Sequence, residues 1–531
     1  MTVRLTDLAR AGFSALSEAA EGIELLSSLS GSSAERLLAF ASPVADPDAA
    51  LRAALRLWEV EPVRMSRLWR DESAVRGFFV VTGASLGLAE FLGRHPEHLE
   101  ALLTPLSAPV GVDELRSRFV DTVRQARVAA SSGTLSIEEH VWVALRVAYR
   151  RELLRLAAWD VCSTEATEIQ PQVSTMLADL AAAALDAALE AARLSLALED
   201  GAPVRFGTYP PAEVAATRLA IIGMGKAGAS ELNYVSDVDV IYVAESADLN
   251  VVSSERAIEI ATRLAQHLQQ AIGGVALEPP LWEVDPNLRP EGKAGALVRT
   301  LDSHVQYYER WAKSWEFQAL LKARAMAGDR ELGAAYVAAL APKVWQSAAR
   351  ENFVESVQRM RERVTEHIPA DEVDIQIKLG PGGLRDIEFT VQLLQLVHGK
   401  SDPTVRFGGT LPALTALAAA GYVGRAEAAQ FSQDYRFLRV LEHRLQLARL
   451  RRTHLMPRDE EALRVLARAS GLAATAEELI ERWHEVRVRV RGLHERLFYR
   501  PLLAAVAATD STDFTISNEQ AEDRLAAIGF R

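Results

Sequence analysis

The chain has 531 residues, 49% of them hydrophobic and 24% charged. That length exceeds what a single hydrophobic core serves, so roughly two to four domains are expected. The formal net charge of −12 argues against nucleic acid as the main partner, because a phosphate backbone demands a basic footprint. The single cysteine, Cys162, excludes an internal disulfide framework and a cysteine-rich zinc site, and it fits a reducing cytoplasm.

The N-terminal MTVRLTDLARAGF lacks the uninterrupted apolar core of a signal peptide. From there to about residue 200 the pattern reads as helix after helix, rich in Ala, Leu, Arg and Glu. In ALRVAYRRELLRL (144–156) the arginines read as a solvated, ion-paired face. The alanine-rich stretch at Leu177–Leu198 is interrupted by Asp179, Asp186, Glu190 and Arg193, so it reads as a packed helix and not a membrane span. Near Gly201 the character changes, and Pro203, Pro210 and Pro211 mark a boundary. Strands are expected at Leu219–Ile222, Val238–Val243 and Leu281–Asp285, the last closed by Pro286 and Pro290. A helix is expected at Ser254–Ile272, capped by Ser253 or Ser254 and stopped by Gly273-Gly274. From Ser303 the helical pattern returns. One interruption stands out, a short alternating strand at Asp374–Leu379 running into Gly380-Pro381-Gly382-Gly383. The chain is therefore mainly α with an embedded α+β domain. Its expected divisions are 1–203, 204–330 (α+β), 331–515 (helical bundle) and 516–531, the start of a truncated linker or regulatory helix.

Asp237 and Asp239 stand two residues apart in an apolar strand, so both point to one face while Val238 and Val240 point to the other. Like charges so placed are usually tolerated because a divalent cation binds them, and hard oxygen ligands suit Mg²⁺. The preceding turn, with Gly223, Gly225 and Lys226, is where a phosphate would be held, which suggests phosphoryl or nucleotidyl transfer. Asp285, on a neighbouring strand, would complete a three-carboxylate cluster able to hold two metal ions, with Arg289 close by for a phosphate. The competing reading makes Asp285 a turn or cap residue before Pro286. The Gly-Pro-Gly-Gly turn offers backbone N–H groups at a helix start, between Lys378 and Arg385, and reads equally as an anion site or a tight turn needing positive φ. Asp386 and Glu388 read equally as first-turn carboxylates that favour the helix dipole. His95, His140, His398, His443 and His454 show no ligand spacing and read as structural. Tyr307, Tyr308, Trp311, Trp315 and Phe317 read as packing residues.

GMGKAGASELNYVSDVDVIYV (223–243) resembles the nucleotidyltransferase signature of glutamine synthetase adenylyltransferase, also called the adenylyl-removing enzyme. LGRHPEHLEALL (92–103), LRVAYRRELLRLAAWDV (145–161), VDPNLRPEGKAGALV (284–298), KLGPGGLRDIEFTVQLLQLVHG (378–399) and YRFLRVLEHRLQL (435–447) resemble further blocks of that family, in its order. The resemblance implies a polymerase-β-like core flanked by helical bundles. It places Mg²⁺, two ions, on Asp237, Asp239 and Asp285. Its glycine turn falls on Gly223 and Gly225, with Ser236 just before the first aspartate. Lys226, Arg289, Lys378 and Arg385 are the candidates for holding phosphate groups. Family members carry two such halves: the N-terminal one removes AMP from adenylylated glutamine synthetase by phosphorolysis, and the C-terminal one adds AMP from ATP. The motif's place behind about 200 residues of helix resembles the first half. The expected activity is thus Mg²⁺-dependent release of ADP in the cytoplasm. The expected partners are glutamine synthetase, phosphate, ADP or ATP and a PII-type signalling protein, without nucleic acid or membrane. The alternatives are the forward adenylyltransferase and a non-catalytic regulatory module, against which the intact aspartates argue. Pro286-Asn287 and Ala227-Gly228-Ala229 depart from the family pattern.

Overall fold

Two apolar runs, LAII and VIYVA, carry no polar alternation and so predict strands buried on both faces. In the computed structural model they are the middle of a five-stranded sheet. Strands β1 (Thr217–Gly223), β2 (Val238–Ser246), β3 (Val284–Asp285) and β5 (Arg324–Gly328) lie in the order β3-β2-β1-β5, and β4 (Val298–Arg299) also pairs with β2. β1 runs antiparallel to β2 and β5, whereas β3 and β4 are parallel to β2. The structure describes residues 4–104, 109–130, 135–198, 207–349 and 368–509, with backbone only at 499–509. The expected boundary at Gly201–Pro203 and the segment 516–531 lie outside the described residues.

Period-two alternation divides the sheet's side chains. Leu219, Ile221, Val238, Val240 and Tyr242 pack into one core with the central helix Ala166–Leu196, the helix Ser254–Gly273 and the N-terminal helices. Ala220, Ile222, Ile241 and Val243 face a second core, where Tyr308, Leu332, Tyr336 and Phe389 cover them. Asp239 alternates onto this second face, toward the side covered by the helix Leu384–His398. A third core holds the C-terminal helices together. Tyr308 and Phe317 are buried as expected, but Trp311 is 73% exposed. No single helix among the described residues is long and apolar enough to cross a membrane.

Three expectations need correction. The third strand is only Val284–Asp285, because Pro279, Pro280 and Pro286 cannot donate to a ladder. Asp374–Leu379 forms turns, with a single bridge from Gln376 to Leu455. The arginines of the helix Ile137–Val161 are not all solvated: Arg146 is 0% and Arg150 7% exposed. Arg146 donates to the carbonyls of Gln270, Ala271, Gly274 and Glu278 at 2.8–3.1 Å. It thereby satisfies carbonyls that the end of the Ser254–Gly273 helix leaves without intrahelical partners. Arg150 donates to Pro279 and Pro280 and pairs with the buried Glu278. Ser253 is the N-cap, accepting from the Arg256 N–H.

These bonds fix where β3 begins, and so where Asp285 stands. Arg146→Leu is expected to destabilise the protein by about 3 kcal/mol or more, since it strands several buried carbonyls. Arg151→Ala, at an exposed position in the same helix, should change stability by no more than about 0.5 kcal/mol. Denaturant unfolding of both variants measures the difference, and equal midpoints would refute the capping role.

Candidate active site

Asp239 stands directly beside Asp285 in the parallel β2–β3 register, and Asp237 lies one residue before β2. Burial, then Asp285, then Asp237 push the Asp239 carboxyl up to about 6, while Lys378 and Arg452 oppose the rise. Three carboxylates thus share one field. Among the described residues, no three His, Cys, Asp or Glu side chains are gathered tightly enough to enclose a cation as they stand. Two of the three carboxylates are engaged by local partners. Asp237 Oδ2 is in an ion pair with Arg452 Nη1, and Asp285 Oδ1 accepts the Asn287 N–H at 2.8 Å. The donor set still fits a hard divalent cation: it is all carboxylate oxygen, two members are in register, and their mutual repulsion is what such a cation relieves.

The glycine turn abuts this cluster. Gly223 ends β1 opposite Val240, and the Met224 N–H donates to the Asp239 carbonyl at 2.8 Å. Gly225 has φ +53°, and a Cβ there would lie 2.5 Å from Asp239 Oδ2. Only glycine satisfies both constraints. Lys226 follows in the four-residue helix Gly225–Gly228, but its ammonium does not face solvent. It donates to both oxygens of the buried Glu442, at 3.0 and 2.8 Å. Burial alone would raise the Glu442 carboxyl, yet Lys226 and Arg439 together hold it well below its usual range. Ser236 is half-buried just ahead of Asp237. Arg289 spends its donors on its own loop, to the carbonyls of Pro286, Lys293 and Gly295.

The cations that do remain unengaged come from the other side. Lys378 is half-buried, and no hydrogen bond or ion pair engages its ammonium among the described residues. Burial lowers its pKa, Glu442 opposes that fall, and Arg385 and Arg452 add to it. Arg385 lies over the Phe389 ring, 5.0 Å from its centroid, and its Nε is buried without a partner. Gly382, at φ +75°, makes the turn between them, and a Cβ there would meet the Arg487 carbonyl at 2.1 Å. The turn therefore needs glycine for its geometry as well as presenting these side chains.

Sequence reasoning missed Glu442, Arg439, Gln446 and Arg452. The first three, with His443, recur at helical spacing in YRFLRVLEHRLQL, and none of them is more than 1% exposed. A polar stripe at that spacing on a buried face is a readable signal. Arg439 bonds Asn233 Oδ1 and the carbonyls of Glu231 and Leu232, within the nucleotidyltransferase signature itself. His443 lies 3.2 Å from Arg439 Nη2, and His454 lies 3.1 Å from Glu442. Both histidines serve this network, as their scattered spacing suggested.

Comparison with known proteins agrees with this geometry. Residues 76–339 match the family described as glutamate-ammonia ligase adenylyltransferase, and residues 347–498 match that described as GlnD PII-uridylyltransferase. The chain is 58% identical over 99% of its length to a bifunctional glutamine synthetase adenylyltransferase/adenylyl-removing enzyme of Leifsonia xyli, covering 52% of that protein. Enzymes of the same description from Streptomyces avermitilis and Mycolicibacterium smegmatis are 48% and 46% identical over 93% and 91% of the chain, which covers 47% of each. The chain thus spans about half the length of the relatives it matches. Registered aspartates, an abutting glycine turn and homology along nearly the whole chain lead to one conclusion: the chain belongs to the nucleotidyltransferase family of glutamine synthetase adenylyltransferase/adenylyl-removing enzymes.

Proposed function

We propose that this chain removes AMP from an adenylylated tyrosine of glutamine synthetase by phosphorolysis. The carrying observation is the Asp239–Asp285 register, with Asp237 beside it and with Lys378 and Arg452 opposing the rise of the Asp239 carboxyl. That pairing of anionic and cationic groups suits a phosphoryl centre. The motif's position behind about 200 residues of helix supports the removing direction over the adding one. An orthophosphate oxygen bonds to the adenylyl phosphorus as the bond from phosphorus to the tyrosine oxygen breaks. The proton carried by HPO₄²⁻ balances the one the tyrosine gains, and ADP is the second product.

Lys378 and Arg385 hold the phosphoryl oxygens, and Arg385 brings the fork geometry suited to them. Gly225 lets the turn lie against Asp239, while Arg289 shapes the loop that carries Asp285. Asp237, Asp239 and Asp285 would hold one or two Mg²⁺ ions, which when bound neutralise charge on the attacking and leaving oxygens. The leaving tyrosine has an ordinary pKa of about 10 and needs such help. The adenylylated protein, and a PII-type partner suggested by the match at 347–498, remain parts of the proposal, as does the cytoplasmic setting.

Incubation with adenylylated glutamine synthetase and Mg²⁺ should yield ADP only when phosphate is supplied. Efficient attachment of AMP from ATP, without removal, would reassign the chain to the forward reaction. Asp237→Asn and Asp239→Asn should each lower ADP release by about 10³-fold or more. Their melting temperatures should stay level or rise slightly, because each removes one like charge from the cluster. Full activity in both variants would overturn the carboxylate mechanism, and collapsed melting temperatures would make those aspartates structural.

A further inference from the structure

One cation near the site has no role in the scheme so far. Arg452 pairs through Nη1 with Asp237 Oδ2, yet its side chain is 53% exposed. An exposed arginine on a carboxylate is ordinarily worth little, but the loop that carries this one is built. The helix Arg425–Arg449 ends at Leu450, a non-glycine residue at φ +47°. Leu450 packs against Gly87, where a Cβ would meet Leu450 Cγ at 2.7 Å. The chain turns back there and is tied on two sides. Fully buried Gln446 accepts the Val235 N–H at 3.1 Å and donates to the Thr453 carbonyl at 3.4 Å. Ile377 donates to the His454 carbonyl at 2.9 Å, and Met456 to the Ile375 carbonyl at 2.8 Å. The arginine loop is therefore bound on one side two residues before Asp237 and on the other one residue before Lys378.

The geometry points to Arg452 as a phosphate-binding residue of the reaction, delivered from the helical domain and held on Asp237 until cation and substrate arrive. This rests on the phosphorolysis reading above. The oxygen that Arg452 holds is one a divalent cation needs. Cation binding at Asp237 competes with the guanidinium and frees its fork for the phosphate, beside Lys378 and Arg385. Arg452 therefore opposes the cation in the empty site and assists the phosphate in the loaded one. A merely structural arginine on Asp237 would also oppose the cation but would leave the affinity for phosphate unchanged.

The opposite signs make the test. Mn²⁺ binding to the protein without substrate is followed by calorimetry, and the KM for phosphate by ADP release, in the unsubstituted chain, Arg452→Gln and Arg452→Lys. Arg452→Gln should bind Mn²⁺ about two- to five-fold more tightly, as expected for loss of an exposed ion pair. Its KM for phosphate should rise about tenfold, reflecting the loss of a charge-assisted contact, with the melting temperature unchanged. Arg452→Lys should keep the competition with Mn²⁺ and recover only part of the phosphate affinity. Unchanged or weaker Mn²⁺ binding in Arg452→Gln, or an unchanged KM, overturns the assignment while leaving the carboxylate site intact. Absence of Mn²⁺ binding in the unsubstituted chain overturns the metal reading, and this inference with it.

Discussion

A carboxylate at 0% exposure cannot stand without countercharge, and Glu442 is such a carboxylate. Lys226 reaches it from the glycine turn and Arg439 from one turn earlier on its own helix. Removing one partner from a buried pair of this kind typically costs about 3–5 kcal/mol, because the survivor is left charged and dry. Such a pair adds little net stability over well-packed apolar residues, but it does fix geometry. Lys226 belongs to the same short turn as Gly225, whose Cα lies against Asp239. The orientation of the aspartate-bearing strand therefore depends on a helix more than 200 residues away in sequence. The sheet holds the aspartates, and the helical domain determines how the turn lies against them.

That dependence explains what the sequence disclosed and what it withheld. The Asp237–Asp239 alternation, the Ser253 cap and the role of Gly225 are local consequences of strand period, capping chemistry and positive φ, so they are legible residue by residue. Asp285 was legible as a neighbour only because a parallel crossover through the helix Ser254–Gly273 brings the end of the third strand beside β2. Arg146 was read as part of a solvated face and Lys226 as a phosphate holder on the glycine turn. A cation on an amphipathic pattern ordinarily meets water, and only tertiary contacts show that these two meet carbonyl oxygens and a buried carboxylate. β5 was missed because Arg324–Gly328 is too short, and too rich in Ala and Gly, to carry a strand signal. Its place beside β1 is settled by packing.

The charges of the site are segregated by domain. The acids come from the sheet, on β3 and at the start of β2. The bases come from the helical region: Lys378 and Arg385 flank the Gly-Pro-Gly-Gly turn, and Arg452, paired with Asp237, lies in the loop after Leu450. An expected division at residue 330 cuts between them, so neither side is a site alone. Physically this is economical. Placing like charges together on one element raises each one's cost, whereas opposed elements let each set lower the other's. Asp239 reflects the balance: burial and its neighbouring aspartates raise its carboxyl, and Lys378 and Arg452 lower it.

Such an arrangement stabilises charge on phosphorus and its oxygens whichever way the group moves. Transfer to tyrosine and removal from it both pass through a phosphoryl centre flanked by an attacking and a departing oxygen, and the same carboxylates and cations serve both. Direction must therefore be set by what delivers the second reactant: a pocket for a nucleoside triphosphate in one case, a free orthophosphate position in the other. In this chain Lys378 and Arg452 both act on the Asp239 carboxyl, so positive charge stands beside the aspartates for whichever reactant enters.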